Sequence, residues 1–216
     1  MSYKLAIFDL DGTILDTLDD LTNAVNYILT NYQKPLRTPT EIRSYLGNGV
    51  VKLIECAFGG SVNEETLSRA VAEYRVYYGE HADIKTKPYD GITEMLAELR
   101  AAGVKTAVLS NKPDAPTKAL CSRYFDGLFD IAAGEKEGIV RKPAPDGVYP
   151  ILESLGVSAC DAVYIGDSEV DIETAKNSGM DGISVAWGFR DVDYLTESGA
   201  SVMVYNADEL KKAILS

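Results

Sequence analysis

The sequence predicts an α/β protein: a doubly wound parallel sheet with an all-helical domain inserted after its first strand. Three observations carry this. From about residue 86, short apolar runs alternate with helical patterns, the order that builds a parallel sheet covered on both faces. An apolar run of the same kind, Tyr3 to Phe8, stands by itself at the start. Between the two, residues 17–85 show helical spacing only. The expected division is a core of 1–16 with 86–216 and a helical cap of 17–85.

The elements follow in order. Tyr3 to Phe8 is short, apolar and rich in aromatic and branched residues, as a buried strand is. After Thr13 a helix is expected, with Thr17, Asp19 and Asp20 supplying a cap and first-turn negative charge. Thr38-Pro39-Thr40-Glu41 marks another helix start, a capping box with Pro at the first helical position. Gly47-Asn48-Gly49 interrupts, and Val50, Leu53, Ile54 and Ala57 resume helical spacing. Leu67, Ala70, Val71, Tyr74 and Tyr78 form a further stripe. Ile92, Met95, Leu96 and Leu99 mark a helix ended by Gly103. A strand over 104–109, a helix over 114–123, a weaker strand near 129–133 and a helix over 146–155 come next. Asp161 to Ile165 is a strand, 168–178 a helix closed by Gly179, and Gly182 to Ala186 a strand. A strand over 202–205 and a helix over 207–215 complete the series.

Composition bounds the function. The chain has 216 residues, 46% hydrophobic and 25% charged, with a formal net charge of -12. Such an acidic chain lacks the basic surface that nucleic acid or an anionic membrane requires. Cys56, Cys121 and Cys160 are odd in number and widely spaced, which suits reduced thiols. With no signal-peptide pattern and no membrane-length apolar run, a cytoplasmic monomer or homodimer is expected.

Ligands of open parallel sheets bind beyond the carboxyl ends of the strands. Four polar clusters follow strands or lie in the loops between them: Asp9/Asp11, Ser110/Asn111, Lys142 and Asp167/Asp171. Side chains at i and i+2 of an extended segment share a face, so Asp9 and Asp11 are expected in one small volume. Gly12 lets the backbone turn and a ligand approach. Asp9, Asp11 and Asp167 at one mouth repel one another unless a cation intervenes. All-oxygen ligands suit Mg²⁺, and no His/Cys cluster exists for Zn²⁺. His81 is the only histidine, so Ser-His-Asp and Cys-His catalysis lack a base.

Asp9-Leu-Asp11-Gly12-Thr13, Leu109-Ser110-Asn111, Lys142-Pro143 and Gly166-Asp167-Ser168-x-x-Asp171 resemble, in order, the four motifs of the haloacid dehalogenase-like hydrolases. The match spans essentially the whole chain, and Gly47-Asn48-Gly49, Asn111-Lys112-Pro113 and Trp187-Gly188-Phe189 look most like phosphoglycolate phosphatases. The resemblance implies a Rossmann-like core and a phosphatase working through an aspartyl phosphate on Asp9. Asp11 is then the acid and base, and Asp9, the main-chain oxygen of Asp11 and Asp167 hold Mg²⁺. Lys142 adds charge, Thr13, Ser110 and Asn111 bind the substrate, and Asp171 orients the other groups.

A dehalogenase needs no second acid, and a sugar-phosphate mutase carries an early-helix histidine where this chain has Leu21. A non-catalytic phosphate-binding or scaffold protein would usually have lost the nucleophile or the lysine. The expected substrate is a small phosphorylated metabolite, 2-phosphoglycolate first and inorganic pyrophosphate second. Gly47-Asn48-Gly49, Arg43, Lys52 and Arg190 are candidates for holding its second anionic group. Hinge motion of the cap is expected to exclude water.

Overall fold

The computed structural model describes residues 3–216. Contacts divide the chain into two compact units, Met1–Leu15 with Pro88–Ser216, and Asp16–Lys87. In chain order the elements are β1 (Leu5–Phe8), β2 (Leu15–Asp16), α1 (Leu18–Asn31), α2 (Pro39–Tyr45), α3 (Gly49–Ala57), α4 (Glu64–His81) and β3 (Lys87–Pro88). There follow α5 (Ile92–Ala101), β4 (Lys105–Pro113), α6 (Asp114–Tyr124), β5 (Ile131–Glu135), α7 (Val148–Leu155) and β6 (Ala162–Gly166). The chain ends with α8 (Glu169–Ser178), β7 (Asp181–Val185), α9 (Val192–Glu197), β8 (Met203–Val204) and α10 (Ala207–Leu215).

The larger unit is a six-stranded parallel sheet in the order β5-β4-β1-β6-β7-β8. From β1 the chain goes to β4 and outward to β5, then crosses back to β6 and on to β7 and β8. The winding therefore reverses at the β1/β6 boundary, where a ligand crevice is expected. Strand β1 is fully buried and alternates its side chains between the two faces. Ala6 and Phe8 pack with Val108, Val163 and Ile165 against Leu96 and Leu99 of α5 and Leu210 of α10. Leu5 and Ile7 pack with Ala107, Ala162 and Tyr164 against Ile151 of α7 and Ala175 of α8. Phe8 is 0% exposed, so its truncation to Ala would cost about 3–5 kcal/mol.

The smaller unit is α1 to α4. Its second helix starts where the sequence indicates: Thr38 Oγ1 accepts the Glu41 N–H at 3.3 Å, and Glu41 Oε2 accepts the Thr38 N–H at 2.8 Å. Asp20, 2% exposed, accepts the Lys85 N–H, the Thr86 N–H and the Thr86 hydroxyl at 2.8–2.9 Å. It therefore fastens the segment leading out of the unit to the first turn of α1. Asp20→Ala leaves buried donors without partners and should lower stability by about 3 kcal/mol. Denaturant unfolding, with hydrogen exchange at the Lys85 and Thr86 amides, measures this.

Several boundaries differ from expectation. β4 runs on to Pro113, so Ser110, Asn111 and Lys112 lie within a strand, beside a register shift against β5. β5 lies two residues later than expected. A 3₁₀ turn, Pro145–Gly147, precedes α7. The short helix α9 carries no expectation at all, because one buried residue, Leu195, gives no periodicity to read.

Candidate active site

Phe8 is the last strand residue of β1, and Asp9 follows it at the switch point. Past Asp9 the chain turns at once: the Leu10 carbonyl accepts the N–H groups of Thr13, Ile14 and Leu15. The strand has thus ended before Asp11, while Asp11 still adds repulsion at the Asp9 carboxylate. Asp9 joins Asp167 and Asp171, whose carboxylate oxygens lie within 4.8 Å of one another. Asp11 stands outside that cluster and meets Lys112, whose Nζ lies 2.8 and 2.9 Å from its two oxygens. Asp171 takes the third place.

Each cluster member is held differently. Asp167 accepts the Thr13 hydroxyl at 3.1 Å on one oxygen and the Phe189 N–H at 2.6 Å on the other. Asp171 accepts the Ser168 N–H and hydroxyl on one oxygen, and Lys142 Nζ at 2.7 Å on the other. Lys142 Nζ is also 2.9 Å from Asp9 Oδ1, an ion pair by distance. That contact is not aligned as a hydrogen bond, and Asp9 Oδ1 is left buried without one. The ammonium lies 5.4 Å over the Tyr164 ring, whose hydroxyl donates to the Leu109 carbonyl at 2.9 Å.

Burial pushes the Asp9 carboxyl up to about 6, with Asp171 adding repulsion and Lys142 opposing it. Burial, then Asp171 and Asp9, raises Asp167 well above the usual carboxylate range. For Lys142, burial disfavours the charged form, but Asp171 and Asp9 outweigh it and lift the ammonium well above its ordinary value. Fully ionised, the three carboxylates exceed Lys142 by two charges, the charge of one divalent cation.

The backbone leaves room for this cluster and nothing more. A Cβ at Gly12, where φ is +87°, would overlap the Asp167 carboxylate, and one at Gly188 would overlap Asp167 and the Gly12 carbonyl. A Cβ at Gly166 would overlap Asp171. An orphaned buried carboxylate oxygen, an all-oxygen donor set and a charge excess of two together fit a hard divalent cation.

The remaining expected residues are found as follows. Thr13 is 0% exposed, and its hydroxyl is spent on Asp167, so it orients a carboxylate and does not face a substrate. Trp187 Nε1 donates to the Thr13 carbonyl at 3.0 Å. Asn111 Nδ2 donates to the Lys142 carbonyl at 3.0 Å, tying β4 to the loop that carries the lysine. The Ser110 hydroxyl accepts the Lys112 N–H at 3.3 Å. Lys52 pairs with Glu55 at 2.8 Å and Arg190 with Glu169 at 2.8 Å, so neither is a spare charge. Asn48 precedes α3 without a side-chain capping bond, and Gly47 and Gly49 both have positive φ. Lys112 stands in the Asn111-Lys112-Pro113 motif without an expected role, and Tyr164 reads as an ordinary strand residue; the sheet brings Asp11 to the one and Lys142 to the other.

Residues 6–185 match the model of the haloacid dehalogenase-like hydrolase family. A phosphoglycolate phosphatase of Thiobacillus denitrificans is 31% identical over 209 residues, 93% of this chain and 91% of its own. One from Colwellia psychrerythraea is 32% identical over 194 residues, 87% of this chain and 86% of its own. The crystal structure of a candidate phosphoglycolate phosphatase from Lactobacillus delbrueckii subsp. bulgaricus superposes with a TM-score of 0.96 at 43% identity, covering 100% of both chains. Among the described residues no helix is long and apolar enough to cross a membrane. The chain belongs to the haloacid dehalogenase-like hydrolases and is a hydrolase of their phosphatase kind.

Proposed function

We propose that the protein is a Mg²⁺-dependent phosphate monoester hydrolase that works through an aspartyl phosphate on Asp9, with 2-phosphoglycolate as its substrate. The observation that carries the chemistry is Asp9 itself: a buried carboxylate at the switch point whose Oδ1 has an ammonium beside it but no hydrogen bond. Asp9, Asp167 and the main-chain oxygen of Asp11 would hold Mg²⁺. When bound, the ion supplies neutralising charge between carboxylate and phosphate.

The chain's own residues do the rest. Asp9 attacks phosphorus, Asp11 protonates the leaving oxygen, and Asp11 then takes a proton from the water that releases phosphate. Lys142 stabilises charge on the transferred oxygens, and Asp171 keeps Lys142 charged and in place. Ser110 offers a hydroxyl to the phosphoryl group, while Asn111 and Thr13 hold Lys142 and Asp167. The names of the relatives support phosphoglycolate as the leaving-group choice.

The test is activity after chelation and Mg²⁺ titration, on phosphoglycolate, pyrophosphate, hexose phosphates and nucleotides. Activity should vanish in excess EDTA and return with Mg²⁺, and kcat/KM should be highest for phosphoglycolate. A tenfold preference for another substrate, about 1.4 kcal/mol of transition-state binding, would overturn the substrate and leave the phosphatase standing. Full activity in EDTA would overturn the metal.

A further inference from the structure

The pair formed by Asp11 and Lys112 has no place in the scheme above, yet it is built with care. Lys112 side-chain exposure is 3%, and an ammonium is buried at that level only when it is paired. Its backbone is anchored at both ends. The Lys112 N–H donates to the Ser110 hydroxyl, and the Lys112 carbonyl accepts the Thr117 hydroxyl at 3.3 Å. Gly134 of β5 lies so close that a Cβ there would come 2.5 Å from that carbonyl. This is a lysine carried by a packed strand, unlike a surface lysine on a mobile stem. Its ammonium grips both Asp11 oxygens, and among the described residues no other side chain bonds that carboxylate.

The cluster next door gives the pair a purpose. Asp9 and Asp11 are separated by one residue, and a cation at Asp9 and Asp167 would attract any free carboxylate within reach. We propose that Lys112 is a positioning residue for proton transfer: its buried ammonium holds the Asp11 carboxylate in place beside the Asp9 cluster. Asp11 is thereby aimed for proton exchange with the leaving group and the attacking water. This rests on the reading of Asp11 as acid and base.

The steps balance. An Asp9 oxygen bonds to phosphorus as the bond from phosphorus to the leaving oxygen breaks, and that oxygen takes the Asp11 proton. Water then bonds to phosphorus and gives its proton to Asp11 as the bond between phosphorus and Asp9 breaks, which regenerates the Asp9 carboxylate and the protonated Asp11. In the structure Lys112 bonds both Asp11 oxygens; to exchange the proton, one oxygen is released while the other stays on the ammonium.

The test uses leaving-group dependence. An alkyl oxygen leaves poorly without a proton, whereas 4-nitrophenolate leaves without one. Parent, Lys112→Met, Lys112→Arg and Asp11→Asn are compared at saturating Mg²⁺ on 4-nitrophenyl phosphate and on an alkyl phosphate the protein hydrolyses. Lys112→Met should lower kcat on the alkyl ester by about tenfold or more, toward the lower end of general-acid contributions. It should change the aryl ester much less, and Lys112→Arg should recover part of the difference. Where Lys112→Met does not fold, Lys112→Gln takes its place. Equal losses on both esters would make Lys112 merely structural and overturn the proposal. A leaving-group effect in Asp11→Asn with none in the Lys112 variants overturns the proposal and spares the acid–base reading. No such effect in Asp11→Asn overturns that reading, and the proposal with it.

Discussion

Asp9→Asn should abolish turnover, by on the order of 10⁴-fold or more as expected for a lost nucleophile, while leaving the fold intact. The amide matches the carboxylate in shape, so packing behind β1 is undisturbed, but its oxygen is a poor nucleophile and no acyl phosphate forms. Acid-quenched protein from a labelled substrate should carry phosphate in the parent and none in the variant. Stability should move the other way. Asp9 is pushed from 3.8 to about 6, chiefly by burial. A carboxyl raised on folding costs stability as pH climbs through that window, because the folded protein holds the proton longer. Removing the charge therefore leaves cation-free Asp9→Asn at least as stable as the parent above pH 6. A variant that turns over at the parental rate would sink the scheme; one that unfolds would show that the carboxylate is needed for structure.

The strand pattern and the polar residues at strand ends made the core legible, because burial in a parallel sheet leaves continuous apolar runs that stop where the ligand site starts. Asp9, Lys142, Asp167 and Asp171 lie on three separate segments, yet each reads as a polar residue where an apolar run or a Pro-rich loop interrupts the alternation. What could not be read was pairing. The two-residue spacing of Asp9 and Asp11 does not reveal that the chain turns at Leu10 or that Asp11 bonds Lys112. Tyr164 lies in an apolar run and Lys112 in a motif that names no partner; their partners are distant in sequence, so no local signal gives either one its role. Thr13 was legible as part of the motif and not as to its role. Whether a hydroxyl meets a substrate or a carboxylate depends on a contact 154 residues away.

Lys142→Ala should lose activity by on the order of 10²-fold or more, the scale of one preorganised electrostatic contact, and should destabilise the protein as well. Its side chain is 3% exposed, 2.7 Å from Asp171 and 2.9 Å from Asp9. Removing one partner of a buried ion pair typically costs about 3–5 kcal/mol, because the other charge is left uncompensated. Two carboxylates would be left here, so part of the cost would be escaped by proton uptake. Denaturant unfolding at neutral pH should show the loss in cation-free protein, and Mg²⁺ should restore stability in part by replacing the missing charge. Turnover should not return with it, since a cation at Asp9 and Asp167 does not reproduce the ammonium between Asp9 and Asp171. Lys142→Arg separates charge from shape: the guanidinium keeps the charge but is larger and forked. It should recover more stability than activity. Equal recovery of both would mean that charge alone is what Lys142 supplies, and that its placement over Tyr164 is incidental.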